Sequence, residues 1–452
     1  MFGLTAQAQQ STPAITLTAE VDSMARELVF AATEPGHKLR IDWGDGIAVE
    51  TEEIAVADDW GTTTAVYGTP VGNGEIKIYG EGIAQFEAVS RVDGTQITAI
   101  DVTGAKDLAE LAINGNNIRT IDLSQNKKLA KLVCSNNSIE TLDLSANPEL
   151  TRLEAQNMKL ASIDLSQNTA LTYLHLGNNL LTDIDITANT ELGSIYLLNN
   201  QIGEIDLGQN KKLTYISLNN NLLTSIDATA CENLASLFCM NNRLEEVKIG
   251  QVKTTVNLNG NRLTLATLPA ATSKNFLYNQ QEALQIAESV KVGETIDLSA
   301  QNHISGLAGT PQATAYTWIT AQGDILAAGT DYTEEDGKFT FLNAQQDSIY
   351  CTMETPAFPA FTGANPFKTT FVYVAKGTGV ESLSKAQAPV IRGGKGFITV
   401  DHAPAGCTVA LYDLSGCPIG TQTASGDRLT FNVKPGLYII SIDGTARKVG
   451  AF

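Results

Sequence analysis

Hydrophobic and polar positions in the middle of the chain recur at one fixed interval. An aliphatic residue opens each unit at Leu108, Leu129, Leu150, Leu171, Leu192, Leu213 and Leu234, and another follows three residues later at Leu111, Leu132, Leu153, Leu174, Ile195, Ile216 and Leu237. A polar series, Asp101, Asp122, Asp143, Asp164, Asp185, Asp206 and Asp227, keeps the same 21-residue spacing, with Lys248 in the eighth place. Ladders in phase at such a period predict a solenoid. Within each unit the alternation around the second aliphatic predicts a short strand with one buried face, and an Asn then turns the chain. Asn116, Asn137, Asn179, Asn200, Asn221 and Asn242 hold that place, where an amide can satisfy backbone groups left over by the turn. Coil three departs from the pattern, with Met158 at the Asn position and Ala155 at an inward one, so Met is expected to fill the space Ala leaves. Degenerate units precede (Ile97, Ile100, Val102) and follow (Val256, Leu258, Asn261, Leu263) the seven clear ones. Coils stacked about 4.8 Å apart bury their apolar residues against one another, and the two ends of such a stack need covers.

The segment from Leu213 to Asp227, LTYISLNNNLLTSID, is representative, and this pattern resembles the leucine-rich repeat family. In a repeat of that geometry the residues two, four and six after each leading Leu point out from a concave strand face. Coils four to seven place Tyr173, His175, Tyr196, Leu198, Tyr215, Asn219, Phe238 and Met240 there, while coils two and three place Lys131, Val133, Arg152, Glu154 and Gln156. An exposed aromatic strip beside a charged one has the character of a contact face for protein or glycan. Aromatic residues are also common on strands for reasons of packing alone. On the convex side Thr103, Ser124, Ser145, Ser166, Thr187 and Thr229 stand two residues after an Asp and can donate hydroxyl hydrogens to it. A hydrogen-bonded structural row is therefore expected, with a row of cation sites as the alternative.

The flanks are β-rich as well. Residues 11–90 alternate in short runs (Ile15–Thr18, Leu28–Phe30, Leu39–Ile41, Ile76–Tyr79) with Gly-rich turns, which predicts a β-sandwich covering the first coil. Its segment from Ile41 to Gly46, IDWGDG, resembles the turn of PKD-type β-domains and reads equally as a tight Asp-Gly hairpin. The solenoid is expected over 91–275. Residues 281–375 again read as strands, and their order resembles an immunoglobulin-like sandwich with Trp318 as the core aromatic and the segment Asp347 to Cys351 as the corner before a late strand. No cysteine stands on the earlier strand, so the usual disulfide of that fold is absent. Residues 377–452 carry VALYDLSG from Val409 and PGLYIISI from Pro435, and resemble the C-terminal sorting domains of Bacteroidetes cargo proteins. That resemblance implies delivery to an outer-membrane secretion apparatus, although this chain ends VGAF rather than with a basic residue. The fold class expected is thus mainly β: a solenoid of about 21-residue coils between a β-cap and two further β-domains.

Composition narrows the function. The chain has 452 residues, 17% of them charged, and a net charge of −19, which argues against nucleic acid as a partner. No apolar run approaches the roughly 20 residues of a membrane-spanning helix. The first ten residues, with Ala6 and Ala8, look like the tail of a secretory signal. Six cysteines do not make a disulfide framework for a chain this size; Cys134 and Cys239 replace inward aliphatics five coils apart, too far to bridge. A bond between Cys231 and Cys239 is possible but not favoured, and Cys407 and Cys417 flank a hairpin turn without facing each other. There is no P-loop, H-E-x-x-H or G-x-S-x-G motif and no paired-Cys motif, and His37, His175, His303 and His402 fall in four separate regions. No catalytic residue, metal ligand or cofactor is assigned. The expectation is an exported recognition protein, monomeric, secreted or on the outer surface of a Gram-negative bacterium, resembling internalin-like adhesins. A spacer without a defined ligand and a glycan-binding module using Tyr173, Tyr196 and Tyr215 are the alternatives.

Overall fold

The computed structural model describes residues 12–57, 62–90, 96–271, 273–376, 390–401, 403, 406–413, 417–424, 428–442 and 445–451. The proposed signal remnant and the Leu414–Gly416 part of the tail motif lie outside the described residues. The chain divides into two compact units, residues 1–376 and 377–452.

The first unit is built on a twelve-stranded sheet. Seven of its strands are the repeats: Glu110–Ala112, Lys131–Val133, Arg152–Glu154, Tyr173–His175, Ser194–Tyr196, Tyr215–Ser217 and Ser236–Phe238, parallel throughout. Their central residues, Leu111 through Leu237, lie opposite one another in register and are fully buried. Two more parallel strands, Thr255–Asn257 and Asn275–Leu277, continue the stack at shorter intervals, because Val256 pairs with Leu237 and Phe276 with Val256. The fold is therefore the leucine-rich repeat solenoid the periodicity predicts.

Buried amides hold adjacent coils together. The Asn200 side-chain NH2 donates to the carbonyls of Leu176 and Leu197 (both 3.0 Å), and its oxygen accepts from the Leu181 N–H at 3.1 Å. Asn137, Asn179, Asn221 and Asn242 repeat the arrangement, Asn261 continues it, and Gln281 stands in at the next turn, donating to Leu258 and Tyr278. In coil three Met158 and Ala155 are both buried, so an apolar side chain takes the place of the amide there. A second amide ladder, Asn126, Asn147, Asn168, Asn189 and Asn210, is fully buried on the far side of the coils; each NH2 donates to the main-chain oxygen of the residue 21 positions earlier or its equivalent, at 2.8–2.9 Å. Cys231 occupies the sixth place and points its thiol at the Asn210 carbonyl, 3.6 Å away. All six cysteines are free thiols, and burial pushes the Cys134 thiol up to about 12.

The aspartate row is organised coil by coil. Each Asp from 101 to 227 accepts the backbone N–H two residues ahead, at 2.8–3.0 Å, and Thr103, Thr187 and Thr229 add their hydroxyls at 2.6–2.7 Å. These bonds hold the carboxyls of Asp122, Asp143, Asp164, Asp185 and Asp227 below the ordinary aspartate range. On this side Ser225–Ala228 and Glu246–Ile249 pair with each other as strands, and there Lys248 bonds Glu246 at 3.0 Å.

Both ends of the stack run into neighbouring β-structure. Ile83–Glu87 pairs antiparallel with Arg26–Ala32 on one side and parallel with Glu110–Ala112 on the other, so the sheet passes without a break from cap to solenoid. Phe30 and Phe86 pack 5.2 Å apart beneath it. Ile97–Asp101, read as part of a degenerate coil, pairs with Ile15–Ala19 as the outer strand of a second, five-stranded sheet. In the IDWGDG turn, Asp42 accepts the N–H groups of Gly44 and Gly46 at 2.9 and 3.0 Å, and any side chain at Gly44 would collide with the Val71 carbonyl. At the far end Tyr278 packs edge-on against Phe358 and Phe361, at 5.4 and 5.3 Å, and accepts the Ala360 N–H. Beyond it, Trp318 is fully buried between Phe339 and Phe341. Tyr350, in the segment read as a corner, instead lies partly exposed on a strand, against Phe371.

The second unit pairs Val390–Gly394, Phe397–Asp401 and Arg428–Asn432 in one sheet, and Pro418–Thr423, Thr408–Tyr412, Gly436–Ile442 and Thr445–Ala451 in another. Its own core contains Ile398, Val400, Val409, Leu411 and Ile440. Asp401 is buried and ion-paired with Arg428.

Asn200→Ala leaves one buried donor and two buried acceptors without their partner, and should lower stability by about 3 kcal/mol; urea unfolding showing a loss under about 1 kcal/mol would remove the amide ladder from its place in the argument. Since the aspartates are used within their own coils, melting curves recorded in calcium and in chelator should superimpose, and a shift of several degrees would restore the cation reading.

Candidate interaction face

The outward positions of the parallel strands form one continuous face. Tyr173 and His175 flank buried Leu174 on one strand, Tyr196 lies on the next, Tyr215 on the third and Phe238 on the fourth. Adjacent strands bring the rings into contact: Tyr173 to Tyr196 at 5.4 Å, Tyr196 to Tyr215 at 4.7 Å, Tyr215 to Phe238 at 5.4 Å. His175 lies nearly parallel to Tyr196, with centroids 5.0 Å apart. The rings were expected to stand exposed; they are half-buried, because each covers part of the next. Aromatic pairs in such offset arrangements attract beyond their area alone.

The charged end of the strip is also closed on itself. The Arg152 guanidinium sits over the Tyr173 ring, 3.8 Å from its centroid, and pairs with Glu154 at 2.6 Å. Lys131 approaches Glu110 at 4.0 Å, and burial lowers its ammonium from the ordinary lysine range. Cation over ring face and carboxylate beside cation leave little net charge to offer a ligand.

At the other end Asn219 accepts the Met240 N–H at 2.9 Å, and Leu198 stands partly exposed between Gly177 and Asn219 along the same row. Every residue assigned to the strip thus lies on one face, in contact or in the same row.

No family model matches the chain, and no curated protein matches it. Among solved structures it is similar to the functional domain of InlJ from Listeria monocytogenes (16% identity over 68% of this chain and 94% of that one, TM-score 0.25). It is similar also to the internalin InlF of Listeria monocytogenes (21%, 45% and 75%, TM-score 0.33) and to YopM of Yersinia enterocolitica (20%, 41% and 45%, TM-score 0.33). Such distant likenesses say nothing of ligand or activity.

A feature the repeat pattern could have disclosed runs beside the strip. Asn136, Asn157, Asn178, Asn199, Asn220 and Asn241 all adopt left-handed backbone, with φ between 54° and 57°. That conformation suits Asn better than other residues bearing a side chain. Their exposed amides bond head to tail from Asn241 through Asn220 and Asn199 to Asn178, and from Asn157 to Asn136, at 2.6–2.8 Å. The signal was the recurring Asn-Asn doublet, of which only the second member had an evident purpose. Of the other histidines, His303 pairs with Asp336 at 2.9 Å, His37 lies in the cap against Gly82, and His402 is outside the described residues. Among the described residues no three His, Cys, Asp or Glu side chains converge as metal ligands, and no helix is long and apolar enough to cross a membrane.

His175 is a titratable group whose protonation this face shifts. Its Nδ1 accepts the Gly177 N–H at 3.3 Å, which requires that nitrogen to be unprotonated. Burial lowers its pKa from 6.5, outweighing Glu154, which pulls upward; Arg152 adds to the lowering. The neutral ring is therefore favoured by folding, and the stability it contributes is present above the unfolded pKa and lost as pH falls through the folded one. An NMR titration should place His175 below 6.5 in the native chain, and Tyr196→Ala, which strips the stacked ring away, should move it upward; a native value above 6.5 contradicts this account.

Proposed function

We propose that this chain is an exported, non-enzymatic recognition protein that binds a protein ligand through the strand face of its solenoid. The observation that carries the reading is the unbroken file from Tyr173 through Tyr196 and Tyr215 to Phe238 on a face the repeats could have filled with small polar residues. Aromatic residues concentrated on a rigid scaffold are the usual anchors of protein interfaces. The absence of a recognisable nucleophile, phosphate or metal motif in the sequence supports a non-enzymatic role, and no cofactor is assigned.

A sugar platform is the less favoured reading, for a geometric reason. A ring that stacks on a sugar must present an open face. Tyr196 has Tyr173 and His175 on one side and Tyr215 on the other, and Tyr215 lies between Tyr196 and Phe238. These rings therefore offer mainly their edges. A spacer without a ligand would need no such file.

In this reading the flanking parts serve presentation. The PKD-like cap over 11–90 and the immunoglobulin-like module over 281–375 close the solenoid's ends, and the sorting-like domain over 377–452 directs a monomer to the outer surface of a Gram-negative cell, where it acts as an adhesin. The support for that last step is the resemblance of the tail sequence.

The combined substitution of Tyr173, Tyr196 and Tyr215 by Ala tests the proposal against cell-adhesion, protein-array and glycan-array binding, with circular dichroism to confirm folding. Protein and cell binding should weaken at least about tenfold, as expected when interface anchors are truncated. Loss confined to glycans would transfer the site to sugars, and unchanged binding everywhere would leave only the spacer.

A further inference from the structure

We infer that the partner's contact surface is itself uncharged and aliphatic, so that binding is driven by removal of apolar surface from water and is insensitive to salt. The inference rests on the strand face being the binding surface, and adds the chemistry of what it takes.

Six consecutive strands, from Tyr173–His175 to Asn275–Leu277, read YLH, SIY, YIS, SLF, TVN and NFL. They contain no Asp, Glu, Lys or Arg. The three preceding strands, ELA, KLV and RLE, do carry charge, but as the mutually paired sets Lys131 with Glu110 and Arg152 with Glu154. His175 accepts a hydrogen bond at Nδ1 and is neutral in that state. All of this occurs on a chain whose net charge is −19 and whose opposite side carries the row of ionised aspartates. Charge is thus withheld from this face while it is abundant elsewhere.

That distribution selects the occupant. A charged segment laid here would surrender its hydration and meet no counter-charge, which is costly. A second copy of this chain would bring another −19 into the same field. An uncharged aliphatic segment meets neither penalty. It finds ring edges, the partly exposed Leu198 and Met240, and Leu277, which is 42% exposed. Asn219 and Asn257 can bond backbone groups along its margin. Charge-depleted centres with aromatic and Met side chains are what protein interfaces bury.

The test pans a random peptide phage library on the immobilised intact chain, with Y196A/Y215A as the counter-selection. Synthetic versions of the enriched peptides are then measured by fluorescence anisotropy. Peptides that depend on Tyr196 and Tyr215 should lack charged clusters, and their affinity should change less than about twofold between roughly 50 mM and 500 mM salt, over which surface electrostatics is largely screened. Ser194→Lys, which puts a charge between Tyr173 and Tyr215 on the sheet, should weaken them about tenfold without altering the melting temperature. Enriched peptides that are acidic or basic and weaken about tenfold with salt would overturn the partner class while leaving the binding face intact. Peptides indifferent to Y196A/Y215A, or no enrichment at all, would remove the face itself. Concentration-dependent self-association abolished by Y196A/Y215A in sedimentation would name a second copy as the occupant and overturn the inference.

Discussion

Every coil of this solenoid must bend its main chain away from the sheet inside a dry interior, and the peptide groups at those bends have no strand partner. Leaving them bare is more expensive than any single apolar contact is favourable. The buried amides answer this on both sides of the coil. Asn200 and its equivalents serve the corner after the strand, and Asn168 and its equivalents serve the corner before the next one. Each amide reaches the corresponding group of the preceding coil even where the interval changes, because Asn261 and Gln281 keep these bonds in the shorter coils after Asn242. The amides therefore hold the stacked leucines in register across coils of slightly different length. Where the Asn is missing, at Met158, an apolar residue is buried in its place rather than another polar one.

The face inherits its character from the same constraint. Parallel strands held in register put outward side chains of neighbouring coils about 4.8 Å apart, close to the separation at which aromatic rings attract. Tyrosines placed on successive coils must therefore interact with one another before they interact with anything else. Arg152 sits directly opposite Tyr173, and His175 opposite Tyr196, whereas the rings from Tyr173 to Phe238 alternate between two rows and meet diagonally across the serines that face them. Rings braced in this way lose little further freedom when a partner arrives, which favours binding.

Much of this was legible in the sequence because a repeat states its own geometry many times over. The leucine ladders, the Asn116 series and the outward strip could all be read from spacing, and the burial of Trp318 from the resemblance its strand order carries. Exposure of the rings could not. Spacing tells which side chains share a face, whereas coverage depends on how far adjacent coils stand apart and how the rings tilt. The hydroxyls expected to quiet the aspartates were identified, but the backbone N–H two residues on, present even at Gly208, is the more general donor. The meaning of the Asn126 series, whose sixth place Cys231 takes, lies in a contact to another coil that spacing does not disclose.

The ends show why a boundary near residue 90 is not where the physics breaks. A parallel sheet that simply stopped would present a row of unpaired N–H and C=O groups. Ile83–Glu87 removes that edge by pairing on both sides, antiparallel to the cap and parallel to the first coil. Its first four residues are buried, as they must be when both faces of a strand are covered. Its alternation of Ala84 and Phe86 with the bonded pair Gln85 and Glu87 suits a cap strand and a coil strand equally, so the pattern assigns it to neither. It belongs to both, and the shared hydrogen bonds tie the first coil to the sandwich that covers it. At the far end Tyr278 does the same by packing rather than by pairing. A face built on a sheet anchored at each end can hold its rings in one arrangement, and a surface that recognises shape rather than charge depends on that.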